Sequence, residues 1–370
     1  MYFKEQRFEK AKSSVLNSTH TVELPESGIL DSISIYLRAT NADPPTVFPV
    51  NLHTHITKIE VIGNSDKKLL SLTGEEAIAK AYRKIGALPP FKQQEYNGVT
   101  QDYLIPLFFG RQYKDGDYAL DLDQWDKVEL QVTNDLTTST ITDSLSMETR
   151  LCTQEDAAKT PAKFMKQWEY DKRAPTAAGQ YLNPKLPTKG PLRSLLIQLD
   201  PTLSTSTGAP TADPLGDSYN WKLWFKDRAL TIFDHRPRDI MRDEHRRLGL
   251  GHSSCHPRAS TSTYTDFHWG EVTAIACSPN YSGAAVLPTM SGDRDRFQHN
   301  INVGTVTDYN AIITGVGLFH TFEIPFFVKD EESEYLDLAT YAPIEIESYA
   351  SNYYYTHRTV LEQPVVQGPP

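Results

Sequence analysis

One stretch of this chain occurs twice. Tyr103-Leu-Ile-Pro-Leu-Phe-Phe109 is followed by a charged turn and then by Tyr118-Ala-Leu-Asp-Leu122. Much later, Thr321-Phe-Glu-Ile-Pro-Phe-Phe327 is followed by a charged turn and by Tyr335-Leu-Asp-Leu338. Ile105-Pro106 and Ile324-Pro325 stand 219 positions apart, and Leu120-Asp121-Leu122 and Leu336-Asp337-Leu338 stand 216 apart. Two neighbouring blocks that shift by nearly the same amount mark a duplicated unit of about half the chain. Two domains is also what 370 residues suggest, because one hydrophobic core stops growing well below that length.

Each half reads as strands with one helix. In the first, Ile33, Ile35 and Leu37 alternate with Ser34 and Tyr36, the period of a strand with one buried face. Lys58–Ile62, Leu69–Leu72, the Ile-Pro segment, Val128/Leu130/Val132 and a strand around Ser146–Leu151 follow the same logic. Thr73 and Glu76 form a capping-box pattern ahead of Ile78, Tyr82 and Ile85, and Gly86 with Pro89-Pro90 stops that helix. In the second half, Leu195/Ile197/Leu199 open, and Trp221–Phe225 and Leu230–Ile232 follow, with Leu230 set against Leu70 at a shift of 160. Asp234 is expected to cap a helix carrying Pro237, Met241, His245 and Leu248 and ended by Gly249. Ile344–Ile346 mirrors Val128–Leu130, and the last strand lies near Tyr355–Leu361. The shift grows from 160 to 219, so about 59 extra residues fall between Gly249 and Tyr309, read as long loops with a strand pair near Tyr264–Cys277.

The expected organisation is an arm at 1–27, a first β unit at 28–160, a connection at 161–190, and a second unit at 191–370 with its long loops at about 249–309 and a C-terminal tail. The arm's Lys4, Arg7, Lys10 and Lys12 against Glu5 and Glu9, with few apolar points, suggest a short helix that orders only on a partner. With 39% hydrophobic and 23% charged residues the chain is a folding one, and 19 Tyr and 15 Phe favour strands. A net charge of −10 excludes a surface devoted to gripping phosphates, hence direct sequence-specific nucleic-acid binding. Cys152, Cys255 and Cys277 are too few for a disulfide scaffold. The charged N-terminus lacks the apolar stretch of a signal peptide, and no run approaches a membrane span, so synthesis in a reducing cytoplasm is expected.

The order of these elements, and above all Ile59–Gly74 and Ile105–Arg111 followed by Tyr118–Leu122, resembles the double jelly-roll major capsid proteins of the adenovirus–tectivirus lineage. The resemblance spans nearly all of residues 28–362. It implies an all-β chain of two tandem eight-stranded jelly-roll barrels, each with a short helix after the first strand pairs. It further implies pseudo-hexagonal homotrimers that tile an icosahedral virion shell, made in the host cytoplasm, with loops outward and termini inward. The partners it implies are the chain itself, neighbouring capsomers, and penton and minor capsid proteins, and residues 1–16 are expected to touch an inner viral membrane or a neighbouring capsomer.

No residue is assigned a catalytic, cofactor-binding or metal role. His235, His245, His252, Cys255 and His256 are the densest group of ligand types, but they lack the paired spacing of a zinc motif. Asp115-Gly-Asp117 with Asp121, Asp123 and Asp126 lacks the offsets of a calcium loop and reads as turn chemistry, with a calcium ion between subunits as the alternative. Arg236, Arg238, Arg242, Arg246 and Arg247 face Asp239, Asp243 and Glu244 on the second helix. Asp243–Arg247 is spaced for an ion pair, and an acidic neighbour is the other reading. With no nucleophile elbow and no phosphate loop, the chain is expected not to be an enzyme. Tyr353–Tyr355 and Trp168 are candidates for a subunit interface. The alternative function is a lectin-like tandem β-sandwich that binds glycans through exposed aromatics such as Trp269 and Tyr281.

Overall fold

The structure, a computed structural model, describes residues 2–42, 52–89, 91–94, 98, 100–142, 144–156, 160–201, 218–249, 251–256, 258–259, 263–266, 269–279, 287–290, 296–300, 307–350 and 355–368. The chain divides into two compact units, Met1–Trp168 with Pro364–Pro370, and Glu169–Gln363.

The first unit is an eight-stranded jelly roll whose first two strands come from the expected arm. β1 (Tyr2–Ser14) and β2 (Thr19–Glu23) precede β3 (Ile29–Thr40), β4 (Ile56–Gly63) and β5 (Lys67–Leu72). Helix α1 (Gly74–Ile85) and the short β6 (Phe91–Gln94) lead to β7 (Thr100–Phe108), β8 (Leu120–Asp121), β9 (Val128–Asn134) and β10 (Leu145–Glu155). One sheet runs β1-β10-β3-β7, with β6 beside β7, and the other runs β2-β9-β4-β5. The helix expected over the arm is therefore a correction. Tyr2–Ser14 pairs with β10 from Tyr2↔Glu155 to Ser14↔Leu145, with register slips on either side of Glu9, and a marginal isolated helix cannot match that pairing. β2 likewise pairs β9 from Thr19↔Thr133 to Glu23↔Glu129. The core is made by the alternation read from sequence. Ile33, Ile35, Leu130, Val61 and Ile105 are fully buried, while Ser34, Tyr36 and Glu129 between them are not.

The second unit repeats this plan. β11 (Lys163–Arg173) crosses between the units, followed by β12 (Gln180–Leu182), β13 (Pro191–Leu192), β14 (Ser194–Pro201), β15 (Ser218–Phe225), β16 (Leu230–His235) and α2 (Pro237–Leu248). After an insertion come β24 (Thr321–Pro325), β25 (Leu336–Asp337), the one-turn α3 (Leu338–Tyr341), β26 (Ile344–Ala350) and β27 (Tyr355–Val366). The strand orders are β11-β27-β14-β24 and β12-β26-β15-β16. Strand for strand, these match the two sheets of the first unit. Residues 163–173, expected as part of the connection, form a strand that holds beside β27 the place β1 holds beside β10.

The insertion holds β17 (Gly251–His256), β18 (Arg258–Ala259), β19 (Thr263–Asp266), β20 (Trp269–Pro279), β21 (Leu287–Met290), β22 (Arg296–Asn300) and β23 (Thr307–Leu318). The strand pair expected at Tyr264–Cys277 does not form between its own two strands. β19 pairs β22, and β20 pairs β23.

Register refines the duplication. Ser34 faces Pro106 and Arg150, and Ser194 faces Pro325 and Glu362, so Ser34 and Ser194 are equivalent at a shift of 160. In both β4–β5 and β15–β16 the ladder slips at one point, after Val61↔Leu70 and after Leu223↔Phe233. Leu70 therefore corresponds to Phe233, not to Leu230, whose partner in the comparison is Lys67. The hairpin turn accounts for the difference. Asn64-Ser65-Asp66 joins the first pair, whereas Lys226-Asp-Arg-Ala229 joins the second with one residue more. From β5 to the end of the helix the shift is 163, so the insertion amounts to 56 residues rather than about 59.

Candidate functional site

The residues singled out for chemistry scatter over the second unit. His235 ends β16, His245 lies in α2, and His252 is the second residue of β17, where its Nδ1 stands 2.9 Å from Thr314 Oγ1. The side chains of Cys255 and His256 lie outside the described residues. The backbone from 252 to 256 is extended, which strings these positions along a strand instead of gathering them in a loop. Among the described residues no group of three or more His, Cys, Asp or Glu could hold a metal ion.

The aspartates after β7 shape turns. Asp115 accepts from the Arg111 guanidinium at 2.8 and 3.0 Å, from Arg111 N–H at 2.9 Å and from Asp117 N–H at 3.0 Å. Burial opposes its charge, and the Arg111 side chain with the Asp117 and Arg111 N–H groups together more than offset that, leaving its carboxyl below the usual range. Asp121 caps the turn after β8 by accepting from Asp123 N–H at 3.1 Å, and Asp337 does the same for Ala339 N–H at 3.1 Å after β25. The Leu-Asp-Leu repeat is thus a duplicated cap.

On α2 the ion pairs run at i,i+3 spacing. Arg246 meets Asp243 at 3.1 Å, while Arg247 meets Glu244 at 3.7 Å and Glu323 at 3.3 Å. The expected Asp243–Arg247 pair is replaced because Arg247 turns toward β24. Asp234 does not cap this helix either. β16 runs on through His235, so the N-cap falls on Arg236, which supplies no side-chain hydrogen bond.

Two buried polar groups escaped the sequence reading. Arg193, 7% exposed, holds Asp330 through two hydrogen bonds at 2.8 and 2.7 Å and Glu362 at 2.7 Å. Ser194 Oγ donates to Glu323 at 2.7 Å in the same cluster. Burial opposes the Arg193 charge, but Glu362 and Asp330 raise its pKa far above the ordinary value. In the first unit Asp31 is fully buried at the bulge where β3 slips against β10, between Thr153↔Leu30 and Cys152↔Ser32. Neither carboxylate oxygen has a hydrogen-bond partner of normal geometry. Desolvation pushes its pKa up to about 6, only partly offset by the Lys114 N–H and Ser32. Nearby Cys152 is buried too, and burial with the Asp31 charge pushes its thiol up to about 11. That thiol is inert rather than a nucleophile.

Two concave features of the first unit are surface grooves. On the outer face of the β1-β10-β3-β7 sheet a groove of about 440 Å³ is lined by Arg7, Arg38, Asp102, Glu148 and Arg150. Beside it a more apolar hollow of about 240 Å³ lies between Ile85–Pro89, Leu104, Phe108 and Tyr113. Tyr36 and Arg150 line both, the guanidinium stacked 4.2 Å over the ring. Trp269, read as an exposed aromatic, is fully buried, and its ring packs so closely on Gly251 that no Cβ fits there. Trp168 is half-buried and Tyr355 is buried, whereas Tyr281, Tyr353 and Tyr354 lie outside the described residues.

Two jelly rolls in tandem define a double jelly-roll protein. No protein-family model and no curated protein matches the sequence. In three dimensions the chain is similar to the major capsid protein of Sulfolobus turreted icosahedral virus, with a TM-score of 0.62 and 10% identity, covering 99% of this chain and 97% of that one. It is similar also to the PBCV-1 virus capsid (TM-score 0.56, 9% identity, 98% and 94% covered) and to the major capsid protein of bacteriophage PM2 (0.54, 8%, 99% and 98%). The fold is the one these viral proteins share.

Proposed function

We propose that this chain is a major capsid protein that self-associates into homotrimeric, pseudo-hexagonal capsomers and tiles an icosahedral virion shell. The observation that carries the reading is that both jelly rolls, end to end, align with viral capsid proteins over 99% of the chain and 97% of the counterpart. The duplication adds physical sense, since two similar barrels per chain let three chains occupy six near-equivalent positions. The function needs no reaction, and the buried ion pairs serve packing. Penton and minor capsid proteins are the further partners of such a shell. A contact with an inner membrane through residues 1–16 would use the exposed Lys4, Lys10 and Lys12 of β1; among the described residues no helix is long and apolar enough to cross a membrane.

Light scattering of the purified protein tests the reading. It is expected to give three times the 41.8 kDa chain mass, and electron microscopy of assembled material to show hexagonal capsomers. A monomer at every concentration would overturn it.

A further inference from the structure

The outer edges of the sheets are covered unequally. In the first unit the edge of β5 is closed by the start of β11, whose Gln167 and Trp168 pair in parallel with Leu70 and Ser71. Leu69, Leu70, Ser71 and Leu72 are accordingly 3, 0, 4 and 2% exposed. β16 is the counterpart of β5, yet it stands last in its sheet and pairs only β15 among the described residues. Phe233, equivalent to Leu70, is half-buried there, and Asp234 and His235 are exposed.

The other side of the joint shows the same asymmetry. In β11, Phe164, Met165 and Gln167 are 1, 0 and 2% exposed. Its counterpart β1 stands first in its sheet, pairs only β10 among the described residues, and leaves Tyr2 and Phe8 56% and 38% exposed. Among the described residues one such joint is made, β5 with β11, and the two strands equivalent to it, β16 and β1, each pair on one side only.

We propose that β16 of one copy pairs in parallel with β1 of a second copy, repeating between chains the β5–β11 joint. This rests on the capsid reading and specifies its self-association. Placed against β16 as β11 is placed against β5, the stretch of β1 around Arg7 and Phe8 would lie beside Phe233 and Asp234 of the neighbour. The charges agree, for Arg7 and Asp234 are 53% and 54% exposed and of opposite sign. Main-chain pairing along the 13-residue β1 would satisfy an edge otherwise open to stray strand addition. Each chain offers one β1 and one β16, so the contact is head-to-tail and closes only as a ring.

A mixed-disulfide experiment on the full chain tests this. Phe8→Cys protein and Asp234→Cys protein, mixed and oxidised, are expected to give a cross-linked band at twice the chain mass that neither variant gives alone. Arg7→Glu should weaken association by about tenfold, and Asp234→Arg in the same chain should restore it. Wild-type trimers with no mixed cross-link and no charge-swap rescue would overturn the joint while leaving the capsid reading intact. A wild-type monomer would overturn both.

Discussion

Asp31 and Arg193 are both buried charges, and their surroundings set opposite consequences. Arg193 keeps its charge because Asp330 and Glu362 meet it with hydrogen bonds. Asp31 has no such partner, and its carboxyl is held up at about 6 against an ordinary 3.8. A folded-state value above the unfolded one favours folding fully below about pH 3.8, and that contribution is lost as pH rises through about 6. Asp31→Asn cannot titrate. Relative to wild type it is expected to gain stability between pH 4 and 7, by at most about 3 kcal/mol, which denaturant melts at several pH values would read. An unchanged difference between the two proteins across that range would refute the assignment. Nothing near Asp31 in sequence marks it, since a bulge in its strand aims the side chain. Asp115, by contrast, was readable as a turn aspartate from the Asp-Gly-Asp run alone.

The two helices are equivalent in length and place, 12 residues each, but not in their ends. At α1 the Thr73 hydroxyl accepts from Glu76 N–H at 3.2 Å and the Glu76 carboxylate from Thr73 N–H at 2.8 Å. Gly86 then closes the helix at φ 76, a conformation that L side chains adopt rarely. At α2 Arg236 caps nothing. Thr73→Ala should cost about 1 kcal/mol, and Arg236→Ser should gain a comparable amount; the shift in thermal midpoint checks both. The first cap was legible because a capping box is local, four residues long and independent of the rest of the fold. The second was misread as Asp234 because a cap's position depends on where the preceding strand stops, and β15 holds β16 in register through Trp221↔His235. Ile85 shows a similar limit. It fits the apolar stripe of α1 yet is 43% exposed, on the lip of the apolar hollow.

At the scale of the molecule, the last residues belong to the first unit although they follow the second in sequence. Gln367 N–H donates to Ala162 O at 3.1 Å, and its side chain accepts from Asp121 N–H at 3.3 Å and donates to Ala119 O. Deleting residues 364–370 is expected to lower the melting of the first unit and leave the second unchanged, which calorimetry with limited proteolysis would separate. The sequence by itself determined that the chain is β-rich, built of two related halves, and punctuated by Leu-Asp-Leu caps, because alternation, repeats and caps are local signals. It did not reveal that the basic arm at 1–14 is a jelly-roll strand, that 163–173 is its duplicate, or that Leu230 answers to Lys67. Those facts depend on which distant strand supplies the hydrogen bonds, and on single-residue slips in register that leave composition unchanged. Only the tertiary structure decided them.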